Sequence, residues 1–533
     1  MIFIDTETTG LNPHTDRVTL FQYKIDDQPT QLVQNPDLTA VHALLNANKP
    51  IIGHNLSFDF GFLKYIPNVY TDFEDTLYLD RIANYQADGH GLDAVAKRIL
   101  GYDAYEGLDK KKLQKTNWAA DELSDEQLAY AKLDVDILPA IYHDLSKALP
   151  KGLKAIYNFD KKSIIAGLQI QQHGLPVLVD LVAAELVALQ RNAKELKAAI
   201  APINPNSPKQ VTTALGIPSS SDKVLAELQA QGNELAEKIR KTRSTLKQIN
   251  FLEKLLKHDR FYGTLQPAAR SGRYTSKQEN IQNLPRSTKG FIGSYGNVIL
   301  SADFAQLELR TVAAITEDET MIDLFIKGAD LHDYAATQLF GPDFTKTQRQ
   351  IAKVFNFATL YGSGAATIRQ VLLAQTGISL PEHEVKDLKA RWLQTFHGIY
   401  LWQRQGSTRH SMSMPWQTPH GRPYISERYT DHLSIENQGA GAEVARIALH
   451  YMLEHLPVEA KLFDFVHDSY WVEAPADSII YMEAARVMRD AMKHAWDKAP
   501  FNKHGIPMPV DVGVAHNIKD ADSLENCIYT LES

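Results

Sequence analysis

The chain has 533 residues, too many for one compact core, so two to four domains are expected. Hydrophobic residues make up 44%, charged residues 23%, and no stretch approaches the roughly 20 apolar residues that span a bilayer, which excludes a helical membrane protein. One cysteine, Cys527, excludes an intramolecular disulfide framework, an acid at position 5 excludes a signal peptide, and a cytoplasmic protein without a membrane partner is expected.

The net charge of −8 divides unevenly. Residues 1–150 carry 13 Lys and Arg against 23 Asp and Glu, or −10, which leaves 43 against 41, or +2, for the remainder. Within that remainder, residues 238–260 hold eight basic residues and two acids, enough to bind a polyanion locally.

Residues 1–55 alternate strands and loops, with Ile2-Phe3-Ile4 opening into an acidic loop and Pro50-Ile51-Ile52-Gly53 forming a second strand. From about 76 to 150 the pattern is helical, and Ser124 offers an N-cap ahead of Leu128, Ala131 and Val135. Strands followed by helices predict a mixed α/β unit that ends near 147–151, where Pro150 and Gly152 mark a boundary. Asp5 and Glu7 are two apart at a strand end and share a face, Asp59 follows the 53–58 strand-loop run, and Tyr130 and Asp134 are four apart on a helix. Four carboxylates in one place repel one another unless cations sit between them. Two Mg²⁺ or Mn²⁺ ions about 4 Å apart would neutralise them, activate a water and stabilise the leaving oxygen of a phosphodiester, with Tyr130 placing the water.

Residues 153–262 read as long helices interrupted by the Pro-rich loop at 202–208, and a second α/β region runs from 298 to about 515, with helices at 311–327, 345–361, 381–406 and 437–455. Its first strand, Val298-Ile299-Leu300, delivers Asp303. Arg349, Lys353, Phe357 and Tyr361 recur every four residues, two cations and two rings along one helix face, as a nucleoside triphosphate would require. In Phe465-Val466-His467-Asp468-Ser469-Tyr470-Trp471-Val472, an apolar hairpin-like stretch is broken by His-Asp, which is costly to bury without a partner or metal.

The motifs DTETTG at 5–10, NLSFD at 55–59 and YAKLD at 130–134 resemble the three exonuclease motifs of the DEDD superfamily in its tyrosine-bearing form. SADFAQLELR at 301–310, RQIAKVFNFATLYG at 349–362 and FVHDSY at 465–470 resemble motifs A, B and C of family A DNA polymerases. SGRYTSKQENIQNLP at 271–285, DLH at 330–332, Asn437-Gln438-Gly439 and VDVGVAHNIKDAD at 510–522 resemble further segments of that family, so the resemblance covers nearly the whole chain. It implies an α/β protein, an RNase H-like 3′→5′ exonuclease domain at 1–150 followed by a right-hand polymerase domain at 151–533. The thumb would occupy about 153–265, the palm about 266–310 and 411–533, and the fingers about 311–410.

The resemblance also implies roles. Asp303 and Asp468 would hold two Mg²⁺ (or Mn²⁺), as would Asp5, Glu7, Asp59 and Asp134 at the exonuclease site. Arg349, Lys353 and His332 would bind triphosphate, Phe357 would pack on the sugar, Tyr361 would sit near the templating base, Glu308 would exclude a 2′-OH, and Gln306 would line the nucleotide site. Arg273, Asn280, Gln282, Asn283, Gln438 and His467 would contact DNA, and the basic stretch 238–260 would grip duplex phosphates. Primer-template DNA and deoxynucleoside triphosphates are the implied substrates of a monomeric replication or repair enzyme. A replication helicase, a primase and a single-strand-binding protein are candidate partners, and thioredoxin is not, since 153–262 has no room for the insertion that would take it.

Ser469 departs from the usual Glu, Ala305 from Ser and Ala358 from Gly, while Phe357 in place of Tyr implies exclusion of dideoxynucleotides. No 5′-nuclease segment precedes residue 5, so nick translation is not expected, and the size suggests a phage, prophage or small bacterial enzyme. An exonuclease with an inert polymerase half is the rival reading, motivated by Ser469 and opposed by Asp303, Lys353 and Asp468. Glu308 and the nuclease motifs oppose an RNA polymerase, and a binding protein would not need two sets of carboxylates.

Overall fold

The computed structural model describes residues 1–68, 71–267, 269–277, 279–524 and 526–532; Gln278, within the 271–285 segment, lies outside them. The first sheet has five strands in the order Gln31–Gln34, Val18–Ile25, Ile2–Thr8, Ile51–Gly53, Phe73–Asp75. Ile2–Thr8 pairs antiparallel with Val18–Ile25 through a short connection, and parallel with Ile51–Gly53 after a crossover through the helix Leu38–Leu45. Ile2, Phe3 and Ile4 are all buried, which makes this central strand the rigid support for Asp5 and Glu7. The helix Asp125–Asp136 packs against it and starts where expected: Ser124 accepts from Gln127 N, and Gln127 returns the bond to complete a capping box.

The second sheet is antiparallel throughout, in the order Lys461–Val466, Ser469–Pro475, Asn297–Phe304, Val510–Ala515, Tyr529–Leu531. The helix Ser478–Asp497 covers it with the buried stripe Ala484, Ala485, Met488, Ala491, Met492 and Ala495. His467 and Asp468 form the two-residue turn between the first two strands, with His467 at φ 59. The apolar stretch is therefore a true hairpin, and its polar pair sits on the turn at the sheet's end.

Each sheet has its own core. The helix Lys154–His173 gives Ile156, Tyr157, Ile164 and Leu168 to the first and Ala166 and Ile170 to the second, so the expected boundary near 150 falls just before an element that both cores share. The Tyr157 hydroxyl accepts from Asp75 N, at the end of the edge strand Phe73–Asp75 of the first sheet.

Between 179 and 255 two long helices, Val179–Ala199 and Glu234–Leu255, pack on each other. The Pro-rich loop does more than interrupt them. Ser207 caps and Pro208 opens a short helix, Pro208–Leu215, which Gly216 ends in the left-handed conformation, and Asp222–Ala230 follows. These short helices bury Val211 and Leu225 against Ile200, Ala236 and Ile239, a small separate core that a reading of long helices did not contain.

Two other expected helices are divided. The 311–327 stretch is Leu307–Thr316 and Glu319–Ile326, and the 381–406 stretch is Glu382–Thr395 and His397–Ser411. One carboxylate explains both breaks. Asp318 accepts from Met321 N at the start of one helix and from Gly398 N at the start of another, and a Cβ on Gly398 would lie 2.8 Å from Asp318 Cα.

Candidate functional site

At the end of Ile2–Thr8, ligand oxygens of Asp5, Glu7 and Asp134 all lie within 4.8 Å of one another. Burial and the neighbouring carboxylates of Asp59, Asp134 and Glu7 hold the Asp5 carboxyl well above its usual range, and burial with Asp134 and Asp59 does the same to Glu7. Burial pushes Asp134 up to about 6, opposed by a hydrogen bond from Tyr105. Asp59 is close enough to raise both strand carboxyls but is not part of the tight trio. It accepts a 2.7 Å bond from Thr6, the residue that strand alternation turns away from Asp5 and Glu7, and burial pushes it up to about 7. The four residues thus form three converging carboxylates and one on the flank.

Asp59 owes its place to its helix start. Asn55 adopts φ 70, and Asp75 accepts from both Asn55 N and Leu56 N, fixing the first turn of Leu56–Phe62. Gln266, from the second half of the chain, donates to Ser57 Oγ at 2.9 Å and to Asn55 Oδ1 at 3.5 Å. Tyr130 is buried beside Tyr105 and Trp118. Tyr105 donates to Asp134 Oδ1 at 2.5 Å. Tyr105, Thr6 and Gln266 were not legible as site residues, because none is a carboxylate and none is near its partner in a motif.

At the second sheet, Asp303 ends Asn297–Phe304 opposite Ser469, and Phe304 N donates to the Asp468 carbonyl, which brings the two aspartates together. Burial and the Asp303 charge push Asp468 up to about 7, and desolvation at the strand end raises Asp303, whose side chain still reaches solvent, against a hydrogen bond from Ser469. Next to them Glu308 accepts from Arg273 Nη2 at 2.7 Å and from the Tyr361 hydroxyl at 2.5 Å, and Asn437 Nδ2 donates to that hydroxyl at 3.1 Å. Gln438 also bonds to the Tyr361 hydroxyl. Glu308 therefore joins the strand end, the 271–285 segment and the end of the helix Lys346–Leu360. Burial and Arg273 hold the His467 imidazole below its usual value.

Along Lys346–Leu360, Lys353 and Phe357 are exposed on the expected stripe, and Tyr361 is the C-cap. Arg349 is on the same face but paired, with Asp330 at 2.8 Å and with Asp333. His332 is buried, its Nδ1 bonded to Asn356 Nδ2 at 2.7 Å, while Asn356 Oδ1 accepts from Trp392. Asn356 was missed: within the motif it reads as one polar residue on the inner face. Gln306 is exposed at φ 54 as N-cap of Leu307–Thr316. Asn280 and Asn283 are exposed around the short turn Ile281–Asn283, and buried Gln282 donates to the Phe465 carbonyl at 3.1 Å.

The basic stretch is less available than its composition suggests. Lys238 pairs with Glu234, Arg240 with Asp222, Lys254 with Glu279 and Arg260 with Glu473, while Arg243 donates to the carbonyls of Pro205 and Ser220. Lys241, Lys247 and Lys257 are the exposed remainder.

No helix of the described residues is long and apolar enough to cross a membrane. Residues 1–150 match the family model of a 3′-5′ exonuclease, and residues 175–520 match that of DNA polymerase family A. The DNA polymerase I of Aquifex aeolicus is 29% identical over 548 residues, covering 93% of this chain and 92% of that protein. That of Pseudomonas aeruginosa is 24% identical over 98% of this chain, which spans 64% of that protein's length. That of Rhizobium leguminosarum is 26% identical over 92% of this chain, which spans 53% of its length. Among solved structures, the POL domain of Pol1 from M. smegmatis in complex with DNA primer-template and dNTP has the same fold, with a TM-score of 0.78 at 18% identity, covering 98% of this chain and 96% of that one. The chain belongs to DNA polymerase family A and carries a 3′-5′ exonuclease domain ahead of its polymerase region.

Proposed function

We propose that this chain extends a primer on a DNA template at the Asp303–Asp468 centre and removes 3′-terminal nucleotides at the Asp5–Glu7–Asp134 centre. One observation carries the reading: two carboxylate centres on two separate sheets, each raised by burial and like charge. All-oxygen donor sets short of positive charge fit hard dications. Two Mg²⁺ (or Mn²⁺) ions at each centre would supply activation of the attacking oxygen and stabilisation of the leaving one.

The remaining roles belong to this chain's side chains. Asp303 and Asp468 hold the ions for synthesis; Asp5, Glu7, Asp59 and Asp134 hold them for excision, with Tyr130 orienting the water. Lys353 and His332 meet the triphosphate, and Arg349 joins them by exchanging its half-exposed aspartate partners for phosphate. Phe357, exposed on the same stripe, packs on the sugar, with Gln306 nearby. Glu308, fixed by Arg273 and Tyr361, occupies the space of a 2′-OH. Asn280, Gln282, Asn283, Gln438 and His467 line the path of the primer-template. In this scheme residues 1–150 are the exonuclease, about 153–265 the thumb, about 266–310 and 411–533 the palm, and about 311–410 the fingers. The thumb's hold on duplex phosphate falls to Lys241, Lys247 and Lys257.

The test is a 5′-labelled primer on a longer template with Mg²⁺, with and without deoxynucleotides. Asp5→Ala should stop shortening and spare extension, and Asp303→Ala should do the reverse. Loss of both activities from either variant, with folding intact, would overturn the two-centre scheme.

A further inference from the structure

Asp303 sits between two cross-strand neighbours. On one flank the register sets it opposite Asp511, on the other opposite Ser469. Residues directly opposite on one sheet face interact most strongly, and like charges there repel. Asp511 is exposed and brings a second carboxyl group to that rung. Ser469 Oγ donates to Asp303 Oδ1 at 3.0 Å.

The next rung of the ladder is Ser301 opposite Trp471, on the same face. It holds a further carboxylate, Asp522, in a closed arrangement. Asp522 Oδ1 accepts from Ser301 Oγ at 2.5 Å and from Trp471 Nε1 at 3.2 Å, and Oδ2 accepts from Lys289 at 2.5 Å. Lys289 also lies 5.0 Å above the Trp471 ring. Asp522 adds negative potential at Asp303, but its oxygens are committed to these donors. Among the described residues, Ser469 supplies a neutral hydroxyl donor to Asp303, at a position where the family resemblance implies a third carboxylate.

We infer that Ser469 is a positioning residue: its hydroxyl fixes the Asp303 carboxylate against the adjoining strand, and the divalent-cation affinity of the polymerase centre depends on that bond. The inference rests on the reading of Asp303 and Asp468 as metal ligands. A hydroxyl at this place does what an outer partner of a metal-ligating carboxylate does elsewhere, holding one oxygen so that the group does not rotate between orientations. A carboxylate in place of Ser469 would repel Asp303 in the absence of metal.

The experiment uses the full chain with Asp5→Ala in every variant, so that the exonuclease centre does not dominate metal binding. Mn²⁺ binding is measured by electron paramagnetic resonance without nucleotide, and the Mg²⁺ dependence of single-nucleotide addition is measured alongside. Ser469→Ala should weaken Mn²⁺ binding about tenfold and raise the Mg²⁺ half-saturation to match, with an unchanged melting temperature. Ser469→Thr, which keeps the hydroxyl, should stay within about twofold of the parent on both readouts. Parent-like metal dependence in Ser469→Ala would overturn the inference, as would a Thr variant no better than Ala. Asp303→Ala separates this from the underlying reading. If it leaves Mn²⁺ binding and synthesis intact, the metal-ligand assignment itself fails. If it abolishes both while Ser469→Ala changes nothing, only the role of Ser469 fails.

Discussion

Withdrawing divalent cations should destabilise the exonuclease domain, and more so as pH rises. With ligand oxygens of Asp5, Glu7 and Asp134 within 4.8 Å, each ionised pair repels by at least about 3.5 kcal/mol at an effective dielectric of about 20. Without metal, protons relieve this. Burial holds Asp59 up to about 7 and Asp134 to about 6, against 3.8 in an unfolded chain. A carboxyl with a raised folded-state value binds its proton more tightly when folded, so stability is lost as pH climbs from the unfolded value through the folded one. The window runs from about pH 4 to about pH 7. At about 1.4 kcal/mol per unit, Asp59 and Asp134 alone remove roughly 3 kcal/mol between about pH 5.5 and pH 8. For a unit of this size that is a fall of about 6–12 °C in the melting transition. Scanning calorimetry in a chelator at the two pH values should show the fall, Mn²⁺ should abolish most of it, and Asp5→Asn should raise the chelated transition at the higher pH. A chelated transition that does not move with pH, or an Asp5→Asn variant less stable than the parent there, would refute the argument.

Other outcomes follow from particular contacts. Asp160 is buried and accepts from Arg422 Nη1 and Nη2 at 2.9 and 2.6 Å and from Arg446 Nη2 at 2.5 Å, so Asp160→Ala should cost about 3–5 kcal/mol in denaturant unfolding by taking the carboxylate from buried Arg446 and leaving Arg422 with Glu443 alone. Burial alone would raise Glu473, but hydrogen bonds from His173 and Arg260 hold it well below its usual value. Its contribution is present above the ordinary glutamate value and lost as pH falls, so the gap in urea midpoint between Glu473→Gln and the parent should narrow between about pH 7 and pH 3. Glu308→Ala should raise ribonucleotide incorporation relative to deoxynucleotide by at least about tenfold, read as the ratio of kcat/KM values; no change would remove Glu308 from the sugar site. Gln266→Ala should slow single-turnover excision several-fold, about 1 kcal/mol, and leave primer extension near the parent rate, because its amide braces the turn ahead of Asp59.

What the sequence revealed and what it hid follow from the range of the interactions involved. Asp5 and Glu7 were legible because strand alternation is local, and Ser124 was legible because a capping box spans only three residues. The Arg349–Tyr361 stripe was legible from the helical repeat, but not the pairing of Arg349 with Asp330 and Asp333, which depends on how two helices pack. The breaks at 317 and 396 were hidden for the same reason: Asp318 caps one helix locally and another eighty residues away. The basic stretch misled in the opposite direction. Its charge was real, but composition does not say whether a cation faces solvent or an acid, and four of its eight residues are ion-paired, Lys238 to an acid on its own helix and Arg240, Lys254 and Arg260 to acids elsewhere in the chain. The site's carboxylates could be read from the motifs because acidic side chains gathered at strand ends and on one helix face stand out in the sequence itself. Thr6, Tyr105 and Ser469 hold those carboxylates by single hydrogen bonds that many residue types could supply, and Gln266 braces the turn ahead of Asp59 through Ser57. Each is fixed only by geometry that brings residues 29 to 209 positions apart into contact.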